Sequence, residues 1–409
     1  MKKKTIAAID VGTTKVYTAI AEVDDNSDIK IIGVGLTPSR GLHKGMVVNI
    51  QEAAESIRES VKKAEQFSGY KIESAYVGVT GRHVTSLNNK GAIAITRGDR
   101  LVRSEDLRRV LQSAQSIIKL PSDRKLIHVI PRSYTVDGQV GVKNPVGMHG
   151  ARLDVETHVI TAAVTSVQNL VKCIRSVGID VEDLVLEPIA SAEAVLTEDE
   201  KKNGIILADI GGGTTDICIF REGSIWHTAV VPVAGYQLTR DIAIGLGIPF
   251  EVAEEMKKRY GTVTPVFEPR KQQASNEQPT DSHGGVNHQD LCEILRARVE
   301  EILRLIILEL PRGEYESLVP GGLVLTGGSA NLAGIATLGE QILHMPVKVG
   351  APNDIHGLTD TLHDPAYATG LGLVLWGAKN SSVHAWRPNN FGMGNRIFKM
   401  MTRIRGLFK

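Results

Sequence analysis

The hydrophobic positions of the chain follow two periods, and the longer one predicts a set of amphipathic helices. In the segment 50–68 apolar residues recur every three or four positions, which places them on one face of a helix. The residues of that stripe are Ile50, Ala53, Ala54, Ile57, Val61 and Ala64. Similar patterns predict helices that begin with a capping signal at Ser104 and that cover 167–177, 251–259 and 291–310.

Shorter apolar runs predict strands, and two segments built from such runs are alike. The segment 5–23 holds an apolar run that ends in Asp10, a glycine–threonine turn and a second β-prone run. The segment 204–220 repeats this order around Asp209, and each segment has the pattern of a β-hairpin. Further strands are predicted at 74–78, 127–136 and 153–164. A unit repeated so far apart in the chain predicts two similar α/β lobes.

Composition narrows the class of protein. The 409 residues exceed one ordinary domain, and 42% of them are apolar and 23% charged, as in globular proteins. The net charge is +1 and aromatic residues make up 4%, so nucleic-acid binding is not expected. The three cysteines lie far apart and form neither a disulfide framework nor a metal motif, which favours a reducing cytoplasm.

Both ends of the chain bear on its location. Lys2, Lys3 and Lys4 resemble the start of a signal peptide, but the apolar run after them stops at Asp10. No run of about 18 apolar residues exists, so we expect a protein that stays inside the cell and does not span a membrane. After Asp364, however, every charged residue is basic. This asymmetry indicates a negatively charged partner.

The last residues predict an amphipathic helix at 396–409, after a flexible polar linker at 379–395. On a helix the apolar residues fall on one half-cylinder and the basic residues on the other, with Arg405 at the border. The residues expected to enter a membrane are Ile397, Phe398, Met401, Ile404, Arg405, Leu407 and Phe408. The alternative is a helix that packs on the protein core. A purely basic polar face behind a linker favours a helix that lies among anionic lipid headgroups.

Three glycine-rich turns follow predicted strands and suit a bound phosphate chain. Glycine leaves backbone N–H groups free to surround an anion, and threonine hydroxyls add donors. One such turn is common, but two that open two similar lobes would hold one triphosphate from opposite sides. The residues expected around the nucleotide are Gly12, Thr13, Thr14, Lys15, Gly211, Gly212, Gly213, Thr214, Thr215, Gly327, Gly328 and Ser329. Asp10 and Asp216 are the carboxylates expected to hold Mg²⁺ through water.

These turns, in this order, resemble the phosphate and adenosine motifs of the actin, Hsp70 and sugar-kinase superfamily. The segments 187–194 and 366–373 resemble its two connecting helices, whose small residues would let them cross closely at the hinge. The resemblance implies ATP as the ligand and Glu187 at the position that orients the attacking water. It also implies Glu254 and Lys257 at the ribose and base. For that pair, a solvent-facing ion pair between residues i and i+3 is the simpler interpretation.

Two further motifs, 78–83 and 144–153, lie between the first two turns and resemble the FtsA family of bacterial division proteins. In that family a subdomain called 1C is inserted in the first lobe and replaces subdomain 1B of actin. The loop 265–287 does not align with the family pattern. The resemblance implies an α/β, two-lobed actin-like ATPase fold with subdomains 1A at 1–83 and 164–196, 1C at 84–163, 2A at 197–233 and 300–378, and 2B at 234–299.

The function implied by this resemblance is that of an ATP-binding division protein with at most slow hydrolysis. Such a protein self-associates and captures the C-terminal peptide of the tubulin-like polymer FtsZ. It sits peripherally on the cytoplasmic side of the cell membrane at the division site, binding anionic lipids by its tail and other division proteins by subdomain 1C. The alternatives are a small-molecule kinase of the same superfamily and an Hsp70-like ATPase fragment. A kinase has no use for a basic amphipathic tail, and an Hsp70-like fragment would need a peptide-binding domain where the linker and tail are predicted.

Overall fold

The computed structural model of the protein describes residues 4–24, 28–264, 288–310, 319–353, 355–357 and 363–381. The strands are β1 (Lys4–Val11), β2 (Lys15–Val23), β3 (Ile29–Pro38), β4 (Leu42–His43), β5 (Met46–Val47), β6 (Ser74–Val79), β7 (Val84–Ala94), β8 (Arg124–Val136), β9 (Gln139–Val142), β10 (Arg152–Ala163), β11 (Asp180–Leu186), β12 (Ile205–Ile210), β13 (Thr215–Arg221), β14 (Ser224–Val231), β15 (Leu323–Thr326), β16 (Val347–Val349) and β17 (His356–Gly357). The α-helices are α1 (Ile50–Ser68), α2 (Ser104–Ile117), α3 (Val164–Ser176), α4 (Glu187–Val195), α5 (Glu198–Asn203), α6 (Gly235–Leu246), α7 (Phe250–Tyr260), α8 (His288–Leu308), α9 (Ile335–Leu343) and α10 (Ala368–Ser381). Short 3₁₀ helices lie at Gly328–Asn331 and Pro365–Tyr367.

The two main sheets share one strand arrangement, which confirms the predicted pair of similar lobes. In the first lobe β3, β2 and β1 are antiparallel neighbours, and β6 and β11 follow in parallel. In the second lobe β14, β13 and β12 are antiparallel, and β15 and β16 follow in parallel. The turn of each first hairpin therefore lies at the carboxyl edge of the parallel strands. In open α/β sheets this edge is where ligands bind.

The helix α1 shows how the predicted elements arise from local sequence. Its apolar stripe is buried against the first sheet, and Asn49 caps its start by accepting hydrogen bonds from two backbone N–H groups. Gly69 ends the helix in the left-handed conformation, with φ of +73°. The cap predicted at Ser104 is wrong: Arg103 precedes the first turn of α2, and the Asp106 carboxylate accepts its backbone N–H at 2.9 Å.

Between the two lobes' hairpins the chain forms a separate sheet, which we call the inserted sheet. Its four strands have the order β7-β10-β8-β9, and α2 packs on one face. The inserted sheet also contacts β14 of the second lobe. There the Ser86 hydroxyl donates a hydrogen bond to the Thr228 carbonyl oxygen at 2.9 Å, and Arg132 lies 3.8 Å from the centroid of the Trp226 ring. The insert is therefore attached to both lobes.

A buried histidine at this contact predicts a pH dependence. His158 is 1% exposed, and its ring nitrogens lie 2.8 Å from Asn88 Oδ1 and 3.0 Å from Thr228 Oγ1. Burial and nearby positive charge lower its pKa from 6.5 to about 3. Below pH 6.5 the unfolded chain therefore binds a proton on His158, whereas the folded protein binds it only as the pH approaches 3. The contribution of His158 to the free energy of unfolding is complete above pH 6.5 and is lost as the pH falls toward 3.

We expect His158→Gln to destabilise the protein less at pH 5 than at pH 7, by about 2 kcal/mol. Urea unfolding of both proteins at the two pH values measures this difference. Comparing the two proteins cancels the titration of all other groups. An equal effect of the substitution at both pH values would show that His158 takes up a proton without cost.

The end of the described chain differs from the prediction. The helix α10 runs to Ser381, so residues 379–381 of the predicted linker are helical. The rest of the linker, the predicted tail helix at 396–409 and the loop 265–287 lie outside the described residues. Among the residues that are described, no helix is long and apolar enough to cross a membrane.

Candidate functional site

The first two glycine-rich turns lie face to face at the carboxyl edges of the sheets. A Cβ atom built on Gly212 would lie 2.3 Å from Thr14 Cγ2, and one on Gly213 would lie 2.4 Å from the Thr13 hydroxyl oxygen. Only glycine permits so close an approach. The turns contain the predicted residues Gly12, Thr13, Thr14, Gly211, Gly212, Gly213 and Thr214, and the strands after them begin with Lys15 and Thr215.

The third turn packs against the second. Gly327 follows β15 with φ of +84°, and a Cβ atom there would lie 2.2 Å from an Asp209 carboxylate oxygen. The Ser329 hydroxyl donates a hydrogen bond to the Gly211 carbonyl oxygen at 2.9 Å, and Gly328 begins the 3₁₀ helix. Because all three turns meet at one place, a single ligand can contact all of them.

Four carboxyl groups are buried at these turns. Asp10, Glu187, Asp209 and Asp216 are each at most 8% exposed. Burial raises the pKa of Asp10 and of Asp216 from 3.8 to about 7. Lys15 opposes the rise at Asp10, whereas Asp209 adds to it at both. Because so little positive charge compensates these four acidic groups, the cluster they form favours a bound cation.

One unpaired oxygen supports a cation at this position. In the part of the chain that is described, Asp10 Oδ1 is buried and accepts no hydrogen bond. The Asp216 oxygens instead accept hydroxyl hydrogen bonds from Thr80 and, at 2.8 Å, from Thr214. No three acidic, histidine or cysteine residues of the described segments are placed to ligate a metal directly. The unpaired Asp10 oxygen beside Asp216 fits a hydrated Mg²⁺, which keeps most of its waters.

Glu187 is the first residue of α4 and lies beside the same cluster. Its pKa is raised well above 4.5 by burial and then by Asp10 and the other carboxylates. A small cavity next to Glu187 is also lined by Gly78, Thr80 and His83. A neighbouring cation would oppose this rise in the Glu187 pKa. The Glu187 carboxyl group lies where it can contact a water molecule in this cavity.

Lys15 contacts the segment after the third turn. Its ammonium group donates a hydrogen bond to the Ala366 carbonyl oxygen at 2.5 Å and lies 4.4 Å from the centroid of the Tyr367 ring. Burial lowers its pKa, and Asp10 opposes that change. Lys15 thus links β2 to the start of α10, and its predicted contact with phosphate stays a prediction.

Glu254 and Lys257 form the ion pair of the simpler interpretation, but the pair does not face solvent. The Lys257 ammonium donates to Glu254 Oε2 at 2.7 Å and to the Thr239 hydroxyl at 2.7 Å, and its side chain is 12% exposed. It also donates to the Gly235 carbonyl oxygen at 3.2 Å. A Cβ atom on Gly235 would lie 2.7 Å from Ser329 Oγ, so the pair belongs to the same wall as the third turn.

Sequence reasoning missed Asp209 as a site residue. Asp209 Oδ2 accepts hydrogen bonds from the Ser191 hydroxyl at 2.6 Å and from the Thr369 hydroxyl at 2.9 Å. Because Ser191 lies on α4 and Thr369 on α10, Asp209 attaches both connecting helices to β12. A signal was present, since Asp209 holds the position in the second hairpin that Asp10 holds in the first.

The connecting helices cross in direct contact, as their small residues predict. A Cβ atom on Gly372 of α10 would lie 1.8 Å from the carbonyl oxygen of Ala190 on α4. A Cβ atom on Gly370 would lie 2.2 Å from a Tyr17 ring carbon. This crossing lies at the junction of the two lobes, so any closure of the cleft must bend or rotate it.

Known proteins share both the lobes and the insert. The family described as "Cell division protein FtsA" matches residues 206–372, and "SHS2 domain inserted in FTSA" matches residues 81–161. Cell division protein FtsA of Pseudomonas aeruginosa is 44% identical over 383 residues, covering 93% of this chain and 90% of that protein. Its namesake in Escherichia coli strain K12 is 35% identical over 421 residues, covering 99% of each chain. The chain belongs to the FtsA family.

Solved structures show that this FtsA-family chain has the actin-like ATPase fold. A chain of the PilM-PilN type IV pilus biogenesis complex has a TM-score of 0.65 and 19% identity, covering 91% of this chain and 98% of that one. MreB5 of Spiroplasma citri bound to ADP has a TM-score of 0.54 and 14% identity, covering 93% and 99%. A chain of the MamK double helical filament has a TM-score of 0.50 and 16% identity, covering 90% and 98%. At these identities the likeness establishes the fold alone.

The structure says nothing of the predicted membrane residues of this FtsA-family chain. They lie outside the described residues, which end at 381. These residues are Ile397, Phe398, Met401, Ile404, Arg405, Leu407 and Phe408. Their role therefore rests on the sequence pattern and on family membership.

Proposed function

We propose that this chain is an actin-like cell-division protein that binds ATP with Mg²⁺ between its lobes. The observation that carries the proposal is the direct contact of two glycine-rich turns beside the unpaired Asp10 carboxylate oxygen. The turns supply N–H and hydroxyl donors to phosphate oxygens, and Asp10 and Asp216 suit a hydrated cation. A protein of the same fold, MreB5, was solved bound to ADP.

The residues of this site have separate roles in binding the nucleotide, the cation and the attacking water. The three turns would bind the nucleotide, with Glu254 and Lys257 at the ribose and base. Asp10 and Asp216 would hold the water molecules of a Mg²⁺ ion, which would supply neutralisation of the phosphate charge. Glu187 would orient and deprotonate the attacking water. Burial and three neighbouring carboxylates raise the Glu187 pKa, which makes its carboxylate a stronger base. As the family resemblance implies, hydrolysis is at most slow. Nucleotide then acts mainly as a conformational ligand that favours lobe closure.

The same proposal extends to the membrane and to protein partners. The protein self-associates, captures the C-terminal peptide of FtsZ, and meets other division proteins through the inserted sheet. Membership of the FtsA family supports these roles, and MamK, a protein of the same fold, forms a double helical filament. The basic amphipathic pattern at 396–409 supports peripheral attachment to the cytoplasmic side of the membrane at the division site. Several tails on one polymer hold the membrane more firmly than one tail does.

Vesicle flotation tests the tether. We expect the full chain to float with vesicles of anionic phospholipid at least about tenfold more than a version ending at Ser381, since each inserted large apolar side chain contributes about 1.5–3 kcal/mol. Ending at Ser381 keeps α10 complete and with it the ion pair between Lys379 and Glu193. Neutral phospholipid vesicles control for the contribution of the basic residues.

The result also separates the proposal from its main alternative. If both versions stay in solution, the tail is not a membrane helix and the tethering role is wrong. A small-molecule kinase would then be the leading interpretation, and phosphoryl transfer to sugars or other alcohols would test it. If only the full chain floats, the tail binds membranes, and the kinase interpretation does not explain that binding.

A further inference from the structure

A small hairpin of the first lobe reaches the second lobe next to the phosphate turns. The strands β4 and β5 pair Leu42 with Val47 and His43 with Met46, and Lys44 and Gly45 form the tip. We call these residues, 42–47, the cleft hairpin. Neither the sequence motifs nor the family resemblance assigned it a role, and it belongs to neither main sheet.

The cleft hairpin contacts the second lobe at two points. A Cβ atom on Gly213 of the second turn would lie 2.9 Å from Lys44 Cα. The His43 ring stands edge-on to the Tyr236 ring of α6, with 6.0 Å between the centroids. The hairpin therefore connects the lobes at the phosphate end of the cleft, whereas the crossing helices connect them at the hinge.

The tip of the hairpin is held in an unfavourable backbone conformation. Lys44 has φ of +48° and Gly45 has φ of +72°, and only glycine adopts such angles readily. The surroundings impose them: the Gly45 N–H donates to the Thr13 hydroxyl at 3.1 Å, and a Cβ atom on Gly45 would lie 2.9 Å from Thr80 Cγ2. Non-glycine residues held in this way are concentrated at ligand sites.

Within the described segments, no partner of the Lys44 charge explains its position. Lys44 is half-buried and, among the described residues, forms no ion pair or hydrogen bond through its side chain. Lys15, the lysine predicted to bind phosphate, already donates to the Ala366 carbonyl oxygen. A compact ammonium group on a flexible four-carbon stem, next to two phosphate-binding turns, suits a phosphate oxygen.

We propose that Lys44 binds the terminal phosphate of a nucleoside triphosphate, so that the cleft hairpin distinguishes triphosphate from diphosphate. The inference rests on the nucleotide site of the proposed function. With a triphosphate, Lys44 gains a partner while its backbone touches Gly213, and the hairpin fixes the lobes together. With a diphosphate this partner is absent, and the hairpin amides exchange more freely.

Calorimetric binding of ADP and of a non-hydrolysable ATP analogue, both with Mg²⁺, tests the assignment. Lys44→Gln keeps a flexible polar side chain, one atom shorter, and removes its charge. We expect it to weaken binding of the triphosphate about tenfold and to leave ADP binding unchanged. Lys44→Arg should restore most of the difference. Lys62→Gln, a matched loss of an exposed lysine on α1, should change neither affinity.

Hydrogen exchange of the amides at 41–48 is the second readout. In the unmodified protein exchange should be slower with the ATP analogue than with ADP, and in Lys44→Gln this difference should vanish. An unchanged ratio of triphosphate to diphosphate affinity in Lys44→Gln, or an equal weakening of both, overturns the assignment. If the unmodified protein binds neither nucleotide, the proposed nucleotide site itself is wrong.

Discussion

Gly372→Ala should lower the free energy of unfolding by about 2–3 kcal/mol, although alanine is the better helix former. The added Cβ atom would lie 1.8 Å from the Ala190 carbonyl oxygen, and a backbone atom cannot move away by changing a rotamer. The helices α4 and α10 must therefore separate. Their separation also stretches the hydrogen bonds by which Ser191 and Thr369 reach Asp209. Urea unfolding of the full chain measures the loss.

A matched glycine elsewhere provides the control for Gly372→Ala. A Cβ atom on Gly98 would meet no other atom within 4 Å, and its φ is not positive. Gly98→Ala should therefore change the free energy of unfolding by no more than about 0.5 kcal/mol. A Gly372→Ala protein as stable as the unmodified one would contradict the close crossing of the two helices.

The two lobes could be predicted from sequence because the signal is local. A run of apolar residues, an aspartate and a glycine–threonine turn specify a hairpin without reference to the rest of the chain, and α1 has its cap, stripe and terminal glycine within 21 residues, from Asn49 to Gly69. The close crossing of the connecting helices was also predictable, because small residues on facing helices let the two backbones approach closely.

Contacts between distant segments could not be predicted in this way. Nothing near Asp209 in sequence indicates that Ser191 and Thr369 will meet its carboxylate, and only the comparison with Asp10 in the repeat would have marked it. The cleft hairpin is similar, because the meeting of Lys44 with Gly213 depends on how the two lobes sit together. Burial is equally non-local. The simpler alternative for Glu254 and Lys257 was an ion pair in solvent, and the pair lies instead in the wall of the cleft.

Mg²⁺ should increase the affinity for nucleotide, and Asp10→Asn should make that increase about 10- to 100-fold smaller. Asparagine has nearly the same volume but lacks the charge that holds the waters of the cation. The substitution breaks no hydrogen bond of Asp10 Oδ1, which accepts none among the described residues. It also removes a carboxyl group whose pKa burial raises to about 7, so the folded protein should lose no stability at neutral pH. Calorimetry with ADP, with and without Mg²⁺, measures the affinity.

Asp209→Asn is the control, because it removes the same charge from the same cluster with a different consequence. Asp209 accepts hydrogen bonds from two hydroxyl groups, so this variant should lose about 1–2 kcal/mol of stability and keep most of the effect of Mg²⁺. If Asp10→Asn kept the full effect of Mg²⁺ while Asp209→Asn lost it, the cation would lie beside Asp209. If both variants lost it equally, the cation would respond to the total charge of the cluster, and Asp10 would have no special place in holding it.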